Sequence, residues 1–155
     1  MKKRTALLTS ALVAALLSAP AAAQLSVEKQ IEFRKAAYQF MSWNMGKIKE
    51  QAIDQAVPFN ADQMRAAATA IAAAANSGMG ALYSPDSAMD MADNTRLKPE
   101  FFEQPEKARE VGMNFAREAN KLQQVAASGD QAALASQFGA VGQACKACHD
   151  DFRGD

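Results

Sequence analysis

Histidine is nearly missing from this 155-residue chain: there is one, His149. Cysteine is almost as scarce, with Cys145 and Cys148 the only two. A structural zinc site wants four ligands and a catalytic one wants three, so the chain lacks the usual donors for either. Strand-like runs are absent too, which removes the βαβ setting of a thioredoxin-like dithiol. Neither sign of charge dominates, with 17 Lys+Arg against 17 Asp+Glu and no basic run. That balance argues against nucleic acid as a partner. No apolar stretch reaches the ~20 residues of a spanning helix. No nucleophile–base constellation is visible, so an enzyme in the strict sense is not expected.

The apolar run that does exist is at the start. Lys2, Lys3 and Arg4 precede Ala6 to Leu17, and "SAPAAAQ" follows. A positive region, a short apolar region and small residues make a secretory signal, with cleavage after Ala22 or Ala23. Residues 1–23 are therefore expected to be removed, leaving residues 24–155 as one domain destined for the periplasm. Its 14 basic residues against 17 acidic ones leave it mildly acidic. Two cysteines in an exported protein would ordinarily suggest a disulfide. Only three apart on a helix, they would close a very small loop and staple little.

The rest reads as four helices. The first runs from about Ser26 to Ala52 with Val27, Ile31, Arg34, Tyr38, Met41, Met45, Ile48 and Ala52 on its inner face. Their spacing of four and three is a heptad seam, broken by the charge of Arg34. The second starts near Asn60, where Asn60 and Gln63 are placed as a capping box, and stops at "NSGMG". The third opens at Pro105 and stops at Gly129; the fourth opens at Asp130. Leu134, Phe138, Val141, Cys145, Cys148 and Phe152 form one stripe on that fourth helix. Prolines 58, 85, 99 and 105 fall in connections or at a helix start. Residues 77–104 make a long connection, in which "DSAMDMAD" suggests a short helix. The expected fold is all-α, an antiparallel up-down-up-down four-helix bundle.

Cys145, Cys148 and His149 spell C-x-x-C-H, the attachment sequence of haem c. On a helix, residues three apart share a face, so both thiols reach the vinyl groups on one porphyrin edge, and the imidazole follows toward the iron. A chance match in an ordinary helical bundle is the bland alternative. With one histidine, the second iron face is left to methionine, lysine, another weak group or nothing. The first helix presents Tyr38, Met41 and Met45, although methionines at helical spacing are commonly core filler.

The segments "RKAAYQFMSWNMGKIK", "IAAAANSGMGALY", "TRLKPEFF" and "FGAVGQACKACHDDFR" resemble the cytochromes c′ of purple photosynthetic bacteria, across essentially the whole exported chain. The place of C-x-x-C-H after four helices selects this family among cytochromes c. The resemblance implies a homodimeric periplasmic bundle with one haem c per chain. It implies a high-spin, five-coordinate iron that binds nitric oxide and carbon monoxide, with electron transfer and nitric oxide protection as roles. By position, Cys145 and Cys148 form the thioethers and His149 ligates iron. Arg153 is the basic residue four after that histidine, and Arg34 the first-helix arginine beside a haem propionate. Lys35, Thr95 and Arg96 fall around the haem edge, and Tyr38 on the distal face.

Two other readings stay open. Relatives of the cytochrome c-556 kind ligate the iron with methionine, for which Met41 is the candidate. A non-haem periplasmic helical binding module is the second. A dimer through the first two helices is expected, because Phe33, Phe40 and Trp43 lie off the seam and need cover.

Overall fold

Ser26 begins the first helix by accepting the backbone N–H of Lys29 at 3.4 Å, and the chain then runs helically as α1, Val27–Ile48. The computed structural model describes residues 25–155. The expected signal at 1–23 lies outside them. After Ile48 the helix widens into a π turn, Lys49–Ile53, rather than ending. Within that turn Gln51 is buried and serves two neighbours. Its side-chain oxygen accepts the Asn60 N–H at 2.9 Å, and its side-chain nitrogen donates to Gln63 Oε1 at 2.7 Å.

This changes the expected capping box at the start of α2, Ala61–Ala75. Asn60 caps Gln63 N at 3.0 Å as predicted. The return bond from Gln63 does not form, because Gln51 reaches both groups first. The third helix, α3, is Pro105–Ser128 and ends on Gly129 in the left-handed conformation, φ 73°. There a side chain would be strained and glycine is not. Asp130 then caps α4, Gln131–Phe152, through the Ala133 N–H at 2.9 Å. A side-chain cap of this kind stabilises a helix by ~1 kcal/mol.

The four helices pack in sequence, α1 on α2, α2 on α3 and α3 on α4, which gives the predicted all-α bundle. Its main apolar cluster takes Ile48 and Ala52 from the end of α1 and the π turn, Met64, Ala67, Ala68 and Ile71 from α2, Ala119, Leu122 and Ala126 from α3, and Leu134 and Val141 from α4. Each fully buried leucine or isoleucine contributes roughly 1.5–3 kcal/mol. All of these lie in one half of the bundle. There α4 also meets the π turn, with Gln131 Nε2 donating to Gln51 O at 3.3 Å. In the other half Arg34 of α1 meets the connection between α2 and α3; of the neighbouring helix pairs, α1 and α4 touch least.

The connection 76–104 lies over that second half. Its 3-10 turns Met79–Leu82 and Pro85–Ser87 pack on α1, and its helical turn Glu100–Glu103 packs on α4. Over "DSAMDMAD" only Asp86 and Ser87 are helical, as the end of the Pro85–Ser87 turn, and the expected short helix does not extend through the rest. Ser87 is instead drawn inward to Arg34, and Met89 N donates to Leu97 O at 2.7 Å. Polar groups a helix would bond locally are spent on distant partners. Among the described residues, no helix is long and apolar enough to cross a membrane.

Candidate functional site

Arg34 breaks the inner seam of α1, and it is 5% exposed. A buried guanidinium requires acceptors. The connection supplies them: Nη1 donates to Leu82 O and Ser87 Oγ, both at 3.0 Å, and Nη2 donates to Ser87 O at 3.2 Å and Thr95 Oγ1 at 2.9 Å. All four acceptors are neutral, and no carboxylate pairs with Arg34 among the described residues. Burial lowers its pKa, and the charge stays locally uncompensated.

One turn along α1, Tyr38 is 42% exposed. It sits on the inner seam, four residues along from Arg34. Its hydroxyl shares a 2.7 Å hydrogen bond with that of Tyr83, from the connection. Tyr83 stacks on Phe101 at 4.7 Å and 18°, and the Arg34 guanidinium lies 4.7 Å from its ring centroid. Phe101 in turn meets Phe152 of α4 edge-on at 5.4 Å. Desolvation raises the pKa of both phenols. Tyr83 was not among the residues singled out by sequence. The available signal was rarity, since the chain has two tyrosines. Met41 is buried at 5% but stands apart from the main apolar cluster, on the site side of α1.

The two cysteines face this group from α4. Both are free and partly buried, and Cys145 packs on the edge of the main cluster. Tyr38 lies within electrostatic range of both thiols. Burial pushes both thiol pKa values up, with Cys145 and Asp151 adding to the rise at Cys148. Reactive dithiols and metal thiolates need the opposite shift, so the redox-dithiol reading loses its chemistry. No cluster of three or more metal-ligating groups exists among the described residues, which leaves zinc without a donor set.

His149, four residues after Cys145 on the same helix, is exposed. Desolvation of its ring, then the charges of Arg153 and Arg96, lower its pKa, with Asp150 acting oppositely. The neutral imidazole favoured in this way is the metal-ligating form. Arg153 closes the last helical turn, its N–H donating to His149 O at 3.1 Å, but its own backbone is extended. It forms an antiparallel bridge with Leu97. Thr95, besides accepting from Arg34, accepts the Leu97 N–H at 3.2 Å. Lys35 Nζ donates to Asn94 O at 3.3 Å, and Arg96 Nε to Gly154 O at 2.9 Å. Lys35, Thr95 and Arg96 thus hold the connection to α1 and to the end of α4.

The donor set suits haem c. Two thiols held in the neutral form stand one turn apart on one helix face, and a neutral imidazole follows. Tyr38, within electrostatic range of both thiols, is four residues from the buried Arg34. Zinc and a redox dithiol fit less well.

The comparisons agree. A family model described as "Cytochrome C'" matches residues 29–153. The cytochrome c′ of Allochromatium vinosum is 50% identical over 139 residues, covering 89% of this chain and 88% of the relative. The solved cytochrome c′ of Thermochromatium tepidum is 49% identical with a TM-score of 0.78, covering 86% of this chain and all of that one. Another solved cytochrome c′, described as having an unusual ligand-controlled dimer dissociation, is 48% identical with a TM-score of 0.77, covering 84% and 98%.

Proposed function

The chain belongs to the cytochrome c′ family and is a c-type haem protein whose two cysteines, Cys145 and Cys148, carry the cofactor, and on that premise we propose that it binds small diatomic gases at a high-spin, five-coordinate iron in the periplasm. When bound, haem c supplies a redox-active iron with one position open to a small ligand. The chain's own residues account for the rest.

Cys145 and Cys148 tether one edge of the cofactor to α4. His149 offers a neutral imidazole as the protein's iron ligand, in the field of Arg153 and Arg96. That field resists loss of the second imidazole proton and so limits electron donation to the metal. The uncompensated charge of Arg34 suits a propionate. Lys35, Thr95 and Arg96 keep the surrounding connection in place. Tyr38 crowds the opposite face without being a strong ligand. This is the observation that carries the reading: a phenol, not a thioether or second imidazole, stands half-exposed on the inner seam of α1, within electrostatic range of both Cys145 and Cys148.

Electron transfer and sequestration of nitric oxide or carbon monoxide follow as roles, rather than catalysis by protein side chains. The leader sequence supports export. The outer face of α1 supports a homodimer: Phe33, Phe40 and Trp43 are 46%, 49% and 61% exposed. The dimer dissociation described for a 48% identical relative supports the same assembly. Met41 is the one competitor for the open position, because it is a buried thioether outside the main apolar cluster.

The absorption spectrum of the reduced protein decides between them. A broad high-spin spectrum that changes on adding carbon monoxide is expected. A sharp α band indifferent to carbon monoxide would assign the sixth position to Met41.

A further inference from the structure

The only two tyrosines of the chain spend their hydroxyl groups on each other, at 2.7 Å, and the two partners are unequally held. Tyr83 is fixed on several sides. Its ring is stacked on Phe101, which rests against Phe102 at 5.2 Å and Phe152 at 5.4 Å. The Arg34 guanidinium lies over the ring at 4.7 Å and also binds the carbonyl of the preceding residue, Leu82, at 3.0 Å. Arg34 is itself tied to Ser87 and Thr95. Tyr38 has none of this. It is 42% exposed, makes no close aromatic pair, and its one side-chain hydrogen bond is the one to Tyr83.

We propose that Tyr83 is a latch: it holds the Tyr38 hydroxyl and so sets how readily a diatomic ligand gains the face that Tyr38 covers. The inference rests on the preceding reading that Tyr38 stands over the open iron position. A ligand that needs the space of the Tyr38 ring must swing it aside, and the swing breaks the Tyr38–Tyr83 bond. The hydroxyl pair is partly desolvated, so water replaces the lost bond only in part. Tyr83 touches no ligand in this scheme. It is a positioning residue acting through Tyr38, and the connection 76–104 thereby gains a part in ligand affinity.

The test is a double-mutant cycle on the reduced holoprotein, with carbon monoxide as the probe. Tyr83→Phe keeps the stacked ring and removes the hydroxyl. It is expected to raise carbon monoxide affinity about five-fold, the worth of one neutral hydrogen bond. Tyr38→Phe is expected to give the same gain, and the double variant no more than either. A second readout needs no ligand: the tyrosine doublet in the ultraviolet resonance Raman spectrum of Tyr83→Phe should report a weakened bond at Tyr38. Additive gains, an unchanged affinity in Tyr83→Phe, or a reduced affinity in Tyr38→Phe would each overturn the latch. If the wild-type protein binds carbon monoxide and Tyr83→Phe matches it, the latch alone fails. If the wild type binds none, the open-site reading fails and takes the latch with it.

Discussion

Arg96 and Gly154 are joined twice: Gly154 N–H donates to Arg96 O at 2.8 Å, and Arg96 Nε donates to Gly154 O at 2.9 Å. With Lys98 N–H donating to Phe152 O at 2.9 Å, the pair straps the end of α4 to the connection, directly beyond His149. Gly154 is buried, and a Cβ there would stand 2.7 Å from Met89 Sδ and 3.0 Å from its Cε. Met89 is 45% exposed and flexible, so it can swing away. Gly154→Ala is therefore expected to cost less than ~1 kcal/mol, whereas Gly154→Pro removes the donor and costs ~1–3 kcal/mol. Arg153 is already extended, as a residue before proline requires. Thermal unfolding of the holoprotein measures both.

Arg34 donates to acceptors on three residues of the connection, Leu82, Ser87 and Thr95. Arg34→Met should destabilise the protein by roughly 3 kcal/mol, through the carbonyls of Leu82 and Ser87 left without their donor and the bonds lost at the Ser87 and Thr95 hydroxyls. Arg34→Lys should recover only part, since an ammonium cannot span Ser87 and Thr95 as a planar fork does. Urea unfolding midpoints of the three proteins test the order.

The tyrosine pair predicts a loss of stability in alkali. Burial raises the pKa of both phenols above the ordinary 10.0, and the charge of an ionised Tyr38 raises Tyr83 further. An acid whose pKa is raised by folding keeps a proton that the unfolded chain releases. Its contribution is complete below the unfolded value and is lost as pH climbs through the folded one. Stability should therefore fall progressively from about pH 10 upward, and less steeply in Tyr83→Phe. Urea midpoints across that range are the measurement.

Covalent attachment depends on the two thiols of α4. Cys145→Ala combined with Cys148→Ala should give a protein whose haem is lost to acid–acetone. Each single variant should retain haem through one thioether. Haem staining after denaturing electrophoresis reads the result.

Trp43 is the most exposed aromatic residue of α1 at 61%, tilted against Phe40 at 5.9 Å, with Lys47 3.8 Å over its ring. In the proposed homodimer, Trp43→Glu should raise the dissociation constant at least ten-fold, the effect expected of a large aromatic buried between the subunits. Sedimentation at micromolar concentration is the test, with unchanged helical circular dichroism as the control.

Helix boundaries and faces were legible from the chain because they are local. Ser26, Asn60 and Asp130 cap where their side chains promise to, and Gly129 stops α3 where its φ of 73° demands glycine. Heptad spacing correctly set Ile31, Met41, Ile48 and Ala52 inward. Tyr38 lies on the same seam yet is 42% exposed, because spacing says which way a residue points and not how completely it is covered. The connection was misread for a related reason. "DSAMDMAD" has the composition of a short helix, but Ser87 answers to Arg34, 53 positions earlier. The capping box at Asn60 and Gln63 was half right, since Gln51 arrives from the π turn to take both remaining bonds.

What the amino-acid sequence by itself determined was therefore the inventory and its local order: four helices, and the thiols and the imidazole within five residues on the last of them. Those follow from interactions within a few residues of each other, which spacing displays. The tertiary structure alone decided what surrounds them. Arg34 meets neutral acceptors 48 to 61 positions away, Tyr83 closes on Tyr38 across 45, and the end of α4 is tied to residues 96–98. Such pairings depend on where the long connection falls once the helices have packed, and no periodicity records that.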